Sequence, residues 1–153
     1  MPEHRRLPHL QAFARQPIVF VTVVTHERQH CLDNRIAFDC LTTVWQRSPE
    51  IDGWFVGDYL LMPDHVHLFA RAAPVAKSLA QWIATWKSIS SRALASTSQT
   101  PSLWQRDYFD RLLRSADDYA EKWHYVALNP VRKGLREKPA DWPWKGRLVD
   151  LQF

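Results

Sequence analysis

Two apolar-rich runs of strand length, Trp54 to Met62 and His65 to Arg71, are separated only by Pro63-Asp64. Proline presets the first turn angle and aspartate caps the bend, so the runs read as a β-hairpin. A hairpin commits the chain to an antiparallel sheet, and the remaining segments must pack on it or pair with it. Ile18 to Thr25 is a β-branched run suited to a buried strand. Asn34 then reads as a helix N-cap, with Ile36, Ala37, Cys40, Leu41 and Val44 recurring at helical spacing to about Trp45. After the hairpin, Ser78 and Gln81 form a capping box, and Leu79, Trp82, Ile83, Trp86, Ile89 and Ala93 line one face of the helix it opens.

Residues 95–102 have loop composition, and a short strand is expected near Leu103 to Phe109. A last helix is opened by Ser115, with Asp118 three residues on. Gly134 and Pro139 are expected to close the regular structure. The order strand, helix, strand, strand, helix, strand, helix suits an α+β domain, and its first six elements match the ferredoxin-like order. The expected architecture is an antiparallel sheet with helices packed on one face and an extra C-terminal helix. A chain of 153 residues with 46% apolar side chains fits one domain over 1–153, with a flexible basic start at 1–16 and a tail at 139–153.

Composition narrows the function classes. Cys31 and Cys40 have neither disulfide-framework nor zinc-knuckle spacing, so they read as reduced thiols in a cytoplasmic protein. The N-terminus carries charge and proline where a signal peptide needs an apolar run, and no stretch is apolar for long enough to span a bilayer. The expectation is no membrane partner. A formal charge of +4 and a pI near 9.3 favour a polyanionic partner. Arginines and eight tryptophans suit unpaired nucleic acid, although core packing is the better reading for any one tryptophan.

In the returning strand, alternation puts His65 and His67 on one face and Val66, Leu68 and Ala70 on the other. Two imidazoles two residues apart on a strand can reach one divalent ion, and the alternative is a pair of hydrogen-bonded surface histidines. Along the last helix, Ala116, Tyr119, Trp123 and Val126 form the apolar stripe. Tyr125 falls on the polar side with Asp118, Glu121, Lys122, Asn129 and Arg132. Tyr125 there reads either as a group facing a partner surface or as a nucleophile, with Asn129 one turn on offering an oxygen to the same ion. Pro130 disfavours helix at Asn129, so the helix is expected to end or fray there.

Leu61-Met62-Pro63-Asp64-His65-Val66-His67-Leu68-Phe69 resembles the histidine-hydrophobic-histidine motif of HUH endonucleases in their single-tyrosine transposase branch. Tyr125-Val126-Ala127-Leu128-Asn129-Pro130-Val131-Arg132-Lys133-Gly134-Leu135 and the tail Asp141-Trp142-Pro143-Trp144 resemble the REP-associated tyrosine transposases. The resemblance runs from about Pro17 to Trp144. It implies a ferredoxin-like sheet carrying both histidines on the face opposite its packed helices. It also implies cleavage of single-stranded DNA at or near hairpins through a 5′-phosphotyrosine, with strand rejoining and Mg2+ or Mn2+ as cofactor. Carried over by position, His65 and His67 are metal ligands, Tyr125 is the nucleophile and Asn129 stands where related transposases use a glutamine ligand. A monomer or homodimer on the nucleoid is implied.

Lys87, Arg92, Arg106, Arg111, Arg114, Arg132 and Lys133 are the candidate DNA contacts, the last five expected near the tyrosine segment. Trp142 and Trp144 are expected to pin the tail. The rival readings are a non-catalytic hairpin-DNA binder and a hydrolase in which the histidines activate water.

Overall fold

The computed structural model describes residues 16–94 and 103–152, and the proposed flexible start and the 95–102 loop lie almost wholly outside them. Strand β1 is Ile18–Val24, helix α1 is Arg35–Ile51, strand β2 is Trp54–Leu61 and strand β3 is His65–Ala72. Helix α2 is Leu79–Ala93, strand β4 is Phe109–Leu113 and helix α3 is Ala116–Ala127. A short helix α4, Asn129–Arg132, and an edge strand β5, Lys145–Arg147, follow. All pairings are antiparallel, and the sheet order is β4-β1-β3-β2-β5. The α+β expectation is met, with β5 added beyond β2.

Alternation along the strands gives the sheet two apolar faces. Val19, Val21 and Val23 of β1 face α1 and α2, where they meet Leu41, Trp45, Trp82 and Trp86. Ile18 and Phe20 face the other way with Phe69, Leu113 and Val126. Helix α3 covers that second face only in part: the Tyr119 and Trp123 rings lie 4.2 and 6.1 Å from the Phe69 ring. Six tryptophans are buried, among them Trp142 of the tail, which donates its indole hydrogen to the Leu61 carbonyl at 2.9 Å. The tryptophans are packing residues, and Trp142 pins the tail as expected; Trp144 is half-buried against Phe38.

The caps follow the expected chemistry. Asn34 accepts from the Ala37 amide, Ser78 and Gln81 satisfy one another's backbone, and Ser115 accepts from the Asp118 amide. Other expectations shift. Helix α1 continues past Trp45 to Ile51 with Pro49 in its last turn, and Gly53 (φ 77°) then supplies the left-handed residue that ends it. Ile36, Ala93 and Ala116 are exposed, because each stripe thins where its helix overhangs the sheet.

Strand β4 begins at Phe109, where the expected strand ended, and Trp104 makes only an isolated bridge to Thr25. The buried Leu103-Trp104 pair mimics a strand, while the true one is an exposed edge with charged residues. Regular structure also does not close at Pro139: a 3-10 turn at Pro139–Asp141 leads into β5, and Leu151 is buried. Among the described residues no helix is long and apolar enough to cross a membrane.

A one-residue bulge interrupts β2, where Val56 pairs Ala70 but Tyr59 pairs Leu68. At the bulge a Cβ on Gly57 would sit 2.7 Å from the Leu151 side chain, so glycine lets the C-terminal segment close in. The next residue, Asp58, is 4% exposed. Its carboxylate accepts from the Tyr119 hydroxyl at 2.5 Å and from Arg147 at 3.1 and 3.2 Å. The buried Arg71 donates to the carbonyls of Leu151 and Gln152. Helix α3 and the C-terminus are thus tied to the sheet by ionic hydrogen bonds.

Candidate active site

His65 and His67 sit on the α3 side of β3, as alternation requires, with their Nε2 atoms 3.1 Å apart. Each outer nitrogen is held. Nδ1 of His65 is 2.7 Å from the Asp64 carboxylate, and Nδ1 of His67 is 2.8 Å from the hydroxyl of Thr22, its cross-strand partner on β1. Such outer bonds fix ring orientation and tautomer, leaving the inner nitrogens to share whatever stands between them. Phe20 stacks on His67 at 5.3 Å and closes its other side.

Electrostatics keep both rings neutral. Burial pushes His67 down to about 3, helped by His65, Lys122 and Arg132. Burial also lowers His65, against the opposing pull of Asp64. Burial raises the Asp64 carboxyl, but the bonds and charges of His65 and Arg28 outweigh this and leave it lowered. At neutral pH the site is two uncharged imidazoles backed by an ionised carboxylate.

The third component comes from α4. Helix α3 ends at Ala127 and Leu128 caps it; the break thus falls at Leu128, one residue before the position expected, and Asn129 itself opens the next short helix with Pro130 in its first turn, where proline's missing N–H costs nothing. The turn carries the Asn129 amide to 3.5 Å from His65 Nε2 and 3.3 Å from His67 Nε2. A rotation of that amide about its last bond would present its oxygen to the imidazoles instead, in exchange for the bond that this oxygen accepts from Arg132.

Tyr125 is 58% exposed on the open side of α3. Its hydroxyl makes no hydrogen bond to the imidazoles among the described residues, and its ring reaches them through cations. The Arg132 guanidinium lies 3.8 Å from the ring centre and donates to Asn129 Oδ1 at 3.2 Å. Lys122 Nζ lies 5.3 Å from the same ring and 4.7 Å from that of Phe20. A recess of 280 Å3 beside Tyr125 is lined by Lys122, Arg111, Asp118 and Glu121.

The structure therefore brings together His65, His67, Asn129, Tyr125, Arg132 and Arg111, with Lys133 near His65. It separates Lys87, Arg92 and Arg106, which line a recess beside α2 with Trp104. Arg106 is thus not near the tyrosine. Lys87 donates to the carbonyls of Gln105 and Arg106 at 2.9 and 3.0 Å, which gives it a structural task. Arg114 is exposed just before α3. Thr22, Asp64 and Lys122 were not singled out as site residues from the sequence; a threonine facing the histidine strand from β1 was the available signal.

Among the described residues no three histidine, cysteine or carboxylate side chains converge to hold a metal. The donor set is two imidazoles and an amide. It fits one divalent ion: two nitrogens about 2.1 Å from one metal, at roughly a right angle, stand about 3 Å apart. The remaining positions suit water or a phosphate oxygen, the preference of magnesium and manganese.

Comparison with known proteins shows the family and the fold. The model of a family described as "Transposase IS200 like" matches residues 16–125. A REP-associated tyrosine transposase of Escherichia coli is 24% identical over 98 residues, 64% of this chain and 54% of that one. A Haemophilus influenzae protein provisionally given the same name is 29% identical over 102 residues, 60% of this chain and 58% of its own. The matches thus span little more than half the length of these curated relatives. The fold is similar, with a TM-score of 0.72 at 19% identity, to a REP-associated tyrosine transposase solved bound to a REP hairpin. That match covers 95% of this chain and 82% of the other. With its family match running over most of the chain, from the start of the sheet to Tyr125, this protein belongs to the IS200-like transposase family.

Proposed function

We propose that the chain cuts and rejoins single-stranded DNA at or near hairpins, with Tyr125 as nucleophile and His65, His67 and Asn129 holding Mg2+ or Mn2+. The observation that carries this reading is the meeting of two neutral, outwardly anchored Nε2 atoms, 3.1 Å apart, with the Asn129 amide beside an exposed tyrosine flanked by Lys122 and Arg132. A bound divalent ion would supply Lewis-acid polarisation of the scissile phosphoryl group.

The protein's own residues do the rest. Asp64 and Thr22 hold the imidazoles in register. Arg132 and Lys122, already against the phenol ring, offer cations to the phosphate that must enter between Tyr125 and the histidines. The Tyr125 oxygen bonds to phosphorus, the P–O3′ bond breaks, and the phenolic proton passes through solvent to the departing 3′-oxygen. The 5′-phosphate remains esterified to the tyrosine. Attack by a 3′-hydroxyl reverses each change, so rejoining needs no nucleotide cofactor. The hairpin partner is suggested by the structural relative, whose described complex is with a REP hairpin.

The test mixes the protein with hairpin oligonucleotides carrying single-stranded flanks and manganese, then separates products under denaturing conditions. A covalent adduct that Tyr125→Phe abolishes while hairpin binding persists is the expected result. Cleavage that survives Tyr125→Phe would assign the chemistry to an activated water instead. Tight binding with no cleavage by the unaltered chain would make it a DNA-binding protein.

A further inference from the structure

On the side of the histidines away from Tyr125 lies a second recess, of 260 Å3, which the mechanism above does not use. It opens between the turn after β1, the β2–β3 turn and the segment following α4. Its lining includes Arg28, His30, Met62, His65, Lys133 and Leu135. Strand β1 serves as a ruler for its position. Phe20 pairs with Arg111, which shares the recess with Tyr125, then Thr22 pairs with His67 and Val24 with His65. The turn bearing Arg28 comes next. The imidazoles therefore stand between two recesses, one at each end of a line along the sheet: the one beside Tyr125 sets Arg111 and Lys122 against Asp118 and Glu121, and this one sets Arg28 and Lys133 against Asp64 alone.

The turn itself is strained. Glu27 and Arg28 are consecutive non-glycine residues in the left-handed region, at φ 54° and 52°. Such a conformation persists only where the surroundings impose it. Here the Thr25 amide and hydroxyl both donate to the Asp64 carbonyl, and the Cys31 and Leu32 amides donate to the Pro63 carbonyl. The result is an Arg28 guanidinium that spends one nitrogen on Asp64, at 3.2 Å, and keeps the side chain 65% exposed over the recess. Lys133 faces it from the other wall. Leu135, 36% exposed, adds apolar surface to the lining, while Met62 beside it is buried.

We infer that this recess binds one unpaired nucleotide adjoining the phosphodiester that is cut, its phosphate between Arg28 and Lys133 and its base against Leu135. The inference rests on the reading of the site given above and adds a place for the strand on the far side of the cut. The chemistry asks for both features at once: cations alone would suit any anion, and an apolar wall alone would suit any small ring. The volume lies just below the roughly 300 to 1,000 Å3 of pockets that enclose whole small molecules, which suits one base partly open to solvent and excludes a duplex.

The test measures binding by the Tyr125→Phe chain of a hairpin oligonucleotide whose single-stranded flanks are trimmed one nucleotide at a time. One trimming step should weaken binding about tenfold, the usual scale for losing one seated base. In chains also carrying Leu135→Ser the same step should cost only about threefold, because the phosphate contact alone remains to be lost. Lys133→Gln should weaken every oligonucleotide that retains that nucleotide and leave the trimmed one unchanged. Equal trimming losses with and without Leu135→Ser would overturn the inference. Adduct formation by the unaltered chain is read separately. An adduct without discrimination at this step removes the recess and leaves the proposed chemistry standing. Discrimination without an adduct does the reverse, and neither result together removes both.

Discussion

Replacing Tyr119 with phenylalanine removes one oxygen and should loosen the helix that carries Tyr125. In the intact protein that oxygen donates at 2.5 Å to a carboxylate only 4% exposed, Asp58, whose other partner is Arg147. A hydrogen bond to a buried charge contributes about 1.5–3 kcal/mol, so the variant should lose that much stability at neutral pH. For a domain of this size the melting temperature should fall by roughly 3–12 °C. The pH dependence follows from the proton. Burial first, and then the hydrogen bond to Asp58, raise the Tyr119 phenol well above its ordinary value. Unfolded tyrosine ionises near 10, so below that pH both states hold the proton and the contribution is complete. As pH rises beyond it the unfolded chain gives up the proton and the native one does not. Stability should fall by about 1.4 kcal/mol per pH unit relative to Tyr119→Phe. Urea denaturation of both proteins at pH 7, 9, 10.5 and 11.5 measures the gap. A gap that stays constant from pH 9 to 11.5 would refute the assignment of that proton to a buried hydrogen bond. Because Tyr119 is the anchor of α3, the variant should also form the covalent DNA adduct more slowly while binding the hairpin unchanged.

Three further outcomes follow from geometry already given. Thr22→Val removes the hydroxyl that orients His67 and should weaken Mn2+ binding about tenfold or more by isothermal calorimetry; unchanged affinity would mean that Phe20 stacking alone positions the ring. Trp86→Ala empties a site 1% exposed, where the indole meets Trp45 and Trp104 edge to face, and should cost about 3–5 kcal/mol in urea melts. Ser78→Ala breaks the capping box of α2 and should cost about 1 kcal/mol, with the adduct-forming reaction unchanged.

The halves of the site were not equally legible in the sequence. A period of two is imposed by the backbone, so the common face of His65 and His67 followed from counting, and so did the polar position of Tyr125 on a helix of known phase. The caps at Asn34, Ser78 and Ser115 were readable because each depends on residues three apart. What escaped depends on residues far apart in sequence. Thr22 meets His67 only through the β1–β3 register, whereas Arg132 was expected beside Tyr125 and lies there. Strand β4 was displaced because an exposed edge strand shows no apolar alternation, while the buried Leu103-Trp104 pair before it does resemble one. Strand β5 and the clamp on Asp58 were missed for a related reason: a three-residue strand and a buried acid leave no periodic trace.

The extra residue in β2 acts as a parity switch. Up to Val56 the even-numbered side chains point toward α1 and α2; beyond it Tyr59 and Leu61 do, and Leu60 turns to the histidine face. Deleting Gly57 while keeping the β2–β3 turn would bring Phe55 and Trp54 onto the wrong sides, while Asp58, of the same parity as Leu60, would keep its face. Length, more than composition, is therefore what β2 cannot vary: a shuffled library should tolerate many apolar exchanges along this strand and almost no single-residue insertion or loss.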